Sequence, residues 1–359
     1  MTTRFSWSTE VYRSVVRDRR AYPQTQTLDS SGGSELAPIG SPSWHRRGPI
    51  APPLIAGLIH CAGDKGAPSV PPMVRHVSLG ELAISTAGVA LRRAMFTGSD
   101  QDAKAAINLI AQAMVGLSNR PWSYGYQLVE AEASTGYGVI ARSYDRAGGP
   151  DIDAEQPVMW DVFDGLSPGV AVDVACGTGR HLTRLAELGH HVVGVDQSPE
   201  MLEVARQRMP HAGLWLGAMG RLPVRSASSD LTVCALALEH EEDPEPAVAE
   251  LARVTRVGGR VLISDVHPFA ILLDHQAQFE CASGGRLLVR AYPHFHGRLL
   301  ELFGRNGLVV EQCLEPTMGP GPGLSGRACQ GLLGDHLTAA AWTGLPIVVV
   351  WQLRRGDDP

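Results

Sequence analysis

The sequence predicts an α/β fold organised around a doubly wound, mostly parallel sheet. Two observations carry that expectation: apolar strands alternate with amphipathic helices from about residue 170 onward, and the first strand-to-helix junction is a glycine-rich turn. The junction reads VAVDVACGTGRHLTRLAELGHHVVGVD over 170–196. An apolar strand, Val170–Val174, carries Asp173 near its carboxyl end and runs into Ala175-Cys176-Gly177-Thr178-Gly179. A helix with Leu182, Leu185, Ala186 and Leu188 on one side follows, and a second strand ends on Asp196. Glycines in such a turn let a ligand approach the backbone, and the helix start offers unpaired N–H groups. An acid ending the second strand is placed to accept hydrogen bonds from a ribose diol.

The later elements follow in order. Ser198 is a good N-cap with Pro199 behind it, opening a helix that ends before Pro210. A short third strand, Gly213–Leu216, leads to Gly217-Ala218-Met219, and Ser229–Ala235 reads as the fourth strand. Glu245–Val257 has helical spacing, and Gly258-Gly259 turns the chain into a fifth strand, Arg260–Asp265. Leu299–Arg305, Leu308–Glu315 and Pro346–Leu353 read as a last helix and two closing strands.

Two cofactors compete for the glycine turn. A dinucleotide site wants G-x-G-x-x-G, but Leu182 stands where the third glycine belongs. Asp173 would also lie close to a pyrophosphate, where like charges are unfavourable. A sulfonium and an ammonium would instead welcome an acidic strand end. The turn resembles motif I of class I S-adenosylmethionine-dependent methyltransferases, and Asp196-Gln197-Ser198-Pro199-Glu200-Met201-Leu202 resembles the segment that follows it. The resemblance covers residues 134–354 and implies a Rossmann-like, seven-stranded sheet whose last strand inserts antiparallel. It points to the small-molecule branch that includes ubiquinone and menaquinone biosynthesis.

The same resemblance implies a site for S-adenosyl-L-methionine made of Tyr144, Asp173, Ala175, Gly177, Thr178, Gly179, Asp196, Gln197, Met201, Ala218, Met219 and Leu236. One position departs from the family pattern: an acid usually follows the third strand, and here that place is Ala218. One side-chain hydrogen bond is thereby missing, worth about 1 kcal/mol. Tyr137–Asp145 resembles the helix that closes over the bound cofactor, with Tyr144 against the methionine end and Tyr137 on the same helical stripe.

Methyl transfer needs alignment and exclusion of water, and a base only where the nucleophile keeps a proton. His267 after the fifth strand, His240 after the fourth and His294 in the following insertion are the candidate bases. The insertions 268–298 and 316–344 are expected to shape a pocket for a small hydrophobic or aromatic acceptor, through Phe269, Ile271, Leu272, Leu273, Phe279, Tyr292, Phe295, Met318 and Trp342. Arg286, Arg290 and Arg298 are candidates for an acceptor carboxylate. The second insertion contains Met318-Gly319-Pro320-Gly321-Pro322-Gly323, whose composition forces a loop.

Composition narrows the class. A net charge of -6 argues against a dedicated nucleic-acid binder. No apolar run reaches the roughly 18 residues needed to span a membrane, and the polar start lacks a signal-peptide core, so the expected setting is cytoplasmic. Six cysteines lie scattered with no C-x-x-C pair, so neither a zinc site nor a disulfide framework is expected, and no metal. Residues 1–120 form an extension of unknown role. Residues 20–75 are rich in Pro, Gly and Ser, and two helical patterns follow, Glu81–Phe96 and Asp100–Leu117, which offer a cap for the sheet or a homodimer contact. Secondary metabolism is the expected context. Two further readings stay open: a non-methylating enzyme on the same fold, and an NAD(P)-dependent oxidoreductase.

Overall fold

A computed structural model describes residues 74–280, 285–320 and 326–357, all within the compact unit Ile50–Pro359. Residues 20–73 of the loop-rich stretch expected over 20–75, and Gly321-Pro322-Gly323 of the expected loop, lie outside the described residues. The chain begins with β1 (Val74–Ser78), α1 (Leu79–Phe96), α2 (Asp100–Gly116), β2 (Gly125–Ala131), α3 (Ala133–Ile140), α4 (Tyr144–Ala147) and α5 (Pro150–Asp164). It continues as β3 (Val170–Val174), α6 (Arg180–Glu187), β4 (His191–Asp196), α7 (Pro199–Arg208), β5 (Gly213–Leu216) and β6 (Ser229–Ala235). A 3-10 turn (Leu238–His240), α8 (Glu245–Val254), β7 (Thr255–Val266), α9 (Pro268–Leu272), β8 (Ala277–Glu280) and β9 (Arg286–Val289) come next. The last elements are α10 (His296–Arg305), β10 (Leu308–Leu314), α11 (Gly326–Trp342) and β11 (Val348–Arg355).

Seven strands make the large sheet in the order β10-β11-β7-β6-β3-β4-β5. Every pairing from β7 to β5 is parallel, and β11 runs antiparallel to both of its neighbours. This is the doubly wound, mostly parallel sheet with an inserted last strand that the sequence predicts. The winding reverses between β3 and β6, which opens a crevice at their carboxyl ends. Burial on both faces explains the near-continuous apolar composition of β3 and β11.

Several boundaries differ from the expectation. The helix expected to run to Val257 stops at Val254, and β7 starts at once, passing through Gly258 rather than turning there. Gly258 has φ +76 and absorbs an irregularity in the β6–β7 register. The helix expected over 137–145 is two pieces, α3 and α4, with the break at 141–143. The region read as a glycine-proline loop also holds a helix, α11, kinked at Gly334.

A second sheet of four strands, β1-β2-β9-β8, was not legible in the sequence. It joins residues on the amino-terminal side to the insertion after β7, with β2 parallel to β9. The helices α1 and α2 do not stand apart from the large sheet. Reciprocal caps start both, Ser78 with Glu81 and Ser99 with Asp102. Their buried Ala83, Ala87, Ala90 and Ala106 then pack in one core with Phe163 of α5, Leu337 and Trp342 of α11, and Val348 of β11. Arg93 adds two hydrogen bonds of 2.8 Å to the carbonyls of Ala341 and Thr343.

Candidate functional site

The crevice between the ends of β3 and β6 is a pocket, walled by the 175–178 turn, the ends of β4 and β6, and α3. Backbone strain concentrates there. Ala175 (φ 57) and Leu236 (φ 50), which both line the pocket, have positive φ, which costs a residue with a Cβ on the order of 1–2 kcal/mol. Gly177 (φ 53) and Gly179 (φ 84) occupy the same left-handed region without that cost. A Cβ built on Gly177 would meet nothing within 4 Å, so the backbone there borders open space.

Two acids dominate the electrostatics. Asp173 is 1 % exposed, and its Oδ2 has no hydrogen-bond partner among the described residues. Burial raises its pKa to about 8, with Asp196 and Glu155 adding to the rise and Arg180 opposing it. Asp196 is better supplied: Oδ2 accepts from the Gly177 N–H and Oδ1 from the Ser198 N–H, both at 2.8 Å. Burial raises its pKa as well, against those backbone donors.

A buried network stands behind the pocket. Glu155 of α5 is fully buried, accepting from Arg180 at 2.8 Å, from Ser264 Oγ at 3.0 Å, and standing 2.9 Å from His181 Nε2. Burial opposes its charge, yet His181 and the Arg180 guanidinium bring it down to about 2. Arg180 thus reaches the pocket wall as a tethered cation. The sequence reading missed Glu155, Arg180 and His181. A cation in the first turn of α6, where the helix dipole disfavours it, was the available signal.

On the opposite wall, Tyr137 Oη lies 2.8 Å from His240 Nε2. The Tyr137 ring packs edge-on against Tyr144, His240 and Phe279 at centroid distances of 5.9, 5.3 and 5.0 Å. Of the residues expected around a cofactor, Tyr144, Asp173, Ala175, Gly177, Thr178, Asp196, Gln197, Met201, Met219 and Leu236 line this pocket. Gly179 caps α6 behind the turn, and Ala218 is exposed in the segment after β5; neither lines it.

The three candidate bases separate. His240 lines the pocket. His267, which follows the fifth strand directly, does not: its Nδ1 accepts from the Phe269 N–H at 3.1 Å to cap α9, and its Nε2 meets Glu315 at 3.0 Å. An Nδ1 that accepts leaves the proton of a neutral ring on Nε2. That proton suits Glu315 and obstructs metal ligation, although His267, His296 and Glu315 bring ligand atoms within 4.8 Å of one another. His294 Nε2 lies 3.2 Å from the Leu238 carbonyl and steadies the turn before His240. His267→Ala should therefore lower stability by about 1 kcal/mol through the lost cap and leave pocket affinity unchanged. Thermal melts beside calorimetry with S-adenosylhomocysteine check this, and an affinity loss above threefold would contradict it.

The expected acceptor lining also separates. Ile271, Met318 and Trp342 belong to the main core, Phe269, Leu272 and Phe295 are exposed, and Phe279 packs edge-on against Tyr137 of the pocket. The three arginines proposed for an acceptor carboxylate are paired already: Arg286 with Glu280, Arg290 bidentate with Glu130, Arg298 with Glu245.

Comparison with known proteins places the same segment. Residues 172–263 match a family model described as a methyltransferase domain. An uncharacterised methyltransferase of Mycobacterium tuberculosis is 38% identical over 133 residues, covering 36% of this chain and 51% of the relative. A demethylmenaquinone methyltransferase of Renibacterium salmoninarum is 36% identical over 106 residues, covering 29% and 45%. The chain spans about half the length of these curated relatives. A crystal structure of an S-adenosylmethionine-dependent methyltransferase from Mesorhizobium loti aligns with TM-score 0.43 and 23% identity, over 58% of this chain and all of that one.

Proposed function

Starting from a class I S-adenosylmethionine-dependent methyltransferase domain, we propose that the protein transfers the methyl group of S-adenosylmethionine to a small hydrophobic or aromatic acceptor. The observation that carries the assignment is the buried Asp173, whose unpaired oxygen stands at the head of the switch-point pocket opposite Asp196. The donor set fits the cofactor. Asp173 suits its ammonium, Asp196 its ribose diol, the tethered Arg180 guanidinium its carboxylate, and the open Gly177 backbone its close approach. A dinucleotide would bring a pyrophosphate against the buried acid instead.

S-adenosylmethionine supplies a methyl group already activated on sulfur. The chain's part is to align and dry the site. The turns at Ala175 and Leu236 border the pocket at the ends of β3 and β6, and Tyr137 and Tyr144 form an aromatic wall. That aromatic wall, with Phe279 behind it, supports an aromatic or hydrophobic acceptor. No helix among the described residues is long and apolar enough to cross a membrane.

Calorimetry with S-adenosylmethionine, S-adenosylhomocysteine and NADH tests the reading: the first two should bind and NADH should not. Asp196→Ala removes charge-assisted hydrogen bonds worth on the order of 1.5–3 kcal/mol, so affinity for S-adenosylhomocysteine should fall at least tenfold. A loss below twofold would place the ribose elsewhere.

A further inference from the structure

We infer that Tyr137 and His240 act as a proton-accepting pair for the methyl acceptor, which is therefore a protic nucleophile, a hydroxyl or an acidic carbon, rather than a tertiary amine or thioether. The inference rests on the methyl-transfer reading of the pocket and goes one step further, to the chemistry of the second substrate.

Geometry fixes the direction of the pair. His240 Nδ1 lies 2.9 Å from the Arg290 carbonyl oxygen, which can only accept, so Nδ1 carries a proton. A neutral ring then has its lone pair on Nε2, and the Tyr137 hydroxyl at 2.8 Å donates to it. The result is a directed chain from the phenol of α3, through the ring after β6, to the backbone after β9. It is the arrangement a base requires, with one ring nitrogen oriented by a carbonyl and the other facing the proton source. The free lone pairs of Tyr137 Oη are left to take a hydrogen bond from a ligand in the pocket that both residues line.

A tyrosine–histidine bond can also serve only to pin α3 onto the 238–240 turn. Position favours the chemical role. Three elements far apart in sequence meet at one wall of the cavity that holds Asp173 and Asp196, and the Tyr137 ring is fixed by aromatic contacts on three sides. Charge favours it too. Burial holds the His240 imidazole below its ordinary value, so the ring is neutral and ready to accept near pH 7. The carboxyl groups bearing on the pair are Asp151, Asp196 and Asp265 around Tyr137, of which burial raises the pKa of Asp196 and, strongly, of Asp265, and Glu239, whose Oε1 lies 3.9 Å from His240 Nε2. Glu241 follows on the chain, its pKa raised by burial, and the neighbouring Arg290 is itself bound to Glu130. The Glu239 carboxyl and the Arg290 carbonyl thus stand beside a transient imidazolium.

The electron pair of the acceptor oxygen or carbon forms the new bond to the methyl carbon, and the sulfur–methyl bond breaks with its electron pair returning to sulfur. The acceptor proton passes to Tyr137 Oη while the tyrosine proton passes to His240 Nε2. The imidazolium, held by the Arg290 carbonyl, loses its proton to solvent after product leaves. A tertiary amine or thioether has no proton to surrender, and the pair would stand idle.

The test supplies S-adenosylmethionine carrying a 13C methyl group with four probes: a simple phenol, a 1,3-diketone, a tertiary amine and a dialkyl thioether. The phenol or the diketone should turn over. That turnover should fall about 10²–10⁴-fold in Tyr137→Phe and in His240→Gln, with S-adenosylhomocysteine affinity kept within about threefold. The deficit in His240→Gln should shrink as pH rises toward the acceptor's own pKa, which a packing defect would not produce. Turnover confined to the amine or thioether, no turnover of either protic probe, or parallel loss of affinity and turnover would each overturn the inference. Failure of the wild-type protein to bind S-adenosylhomocysteine would instead overturn the assignment of the site.

Discussion

Replacing Asp173 with Asn is expected to weaken S-adenosylhomocysteine binding about a hundredfold at pH 8 and to erase its pH dependence. The carboxyl is 1 % exposed, with an unpaired oxygen, and burial holds its pKa at about 8, where an ordinary aspartate titrates near 3.8. The sign follows from linkage. Between those two values the folded protein holds a proton that the unfolded chain has released, so the contribution of Asp173 to ligand-free stability is most favourable in acid and falls as pH rises toward 8. A cationic ligand reverses the preference, because an ammonium beside the carboxyl favours its ionised form. Affinity should then climb by up to about tenfold per pH unit from 6 to 8 and level off above. The Asn variant cannot ionise and should show a flat profile. Calorimetry in buffers of differing ionisation enthalpy would reveal proton release on binding. A flat wild-type profile would mean that Asp173 does not meet the ammonium.

Gly177→Val is expected to abolish binding altogether while the fold survives. Gly177 has φ +53, a region that costs an L-residue on the order of 1–2 kcal/mol and a β-branched one more. That penalty is small against the stability of a domain of this size, so a modest fall in melting temperature should accompany the change. Binding suffers differently. The added methyl groups would project into space where no protein atom lies within 4 Å, the space the cofactor needs to approach the backbone. Gly177→Ala should fall between. Circular dichroism confirms the fold and calorimetry reads the loss; a folded valine variant with undiminished affinity would remove the turn from the site.

The parts of the fold legible in the sequence are those where local pattern and tertiary role agree. Val170–Val174 is apolar because both of its faces are buried, and the glycine turn after it is needed for positive φ. Ser198 and Pro199 start their helix by local chemistry alone. The elements that escaped depend on distant partners. The strands β8 and β9 have four residues each and acquire meaning only when β9 pairs with β2. Helix α5 is polar, with Pro157 inside, so its periodicity is weak and its buried Glu155 looks like any surface acid until Arg180 and His181 surround it. For the bases, position after a strand was a poor guide. His267 follows β7 directly, yet its ring is taken up by a cap and by Glu315, whereas His240 is set by contacts from Tyr137 and Arg290, about 100 and 50 positions away.

The parallel pairing of β2 with β9 also bears on how the chain assembles during synthesis. Leu128 finds its partner, Arg286, only after about 160 further residues have been made. Until then β2 has β1 on one side and an open edge on the other, a template for pairing with foreign strands. The alanine-lined faces of α1 and α2 wait longer still, since Leu337, Trp342 and Val348, which complete their core, lie far later in the chain. Contacts of such separation form slowly, and the emerging chain exposes apolar surface throughout. These early elements are thus made well before the residues that bury them, whereas strands β3 to β7 form one contiguous block of the large sheet.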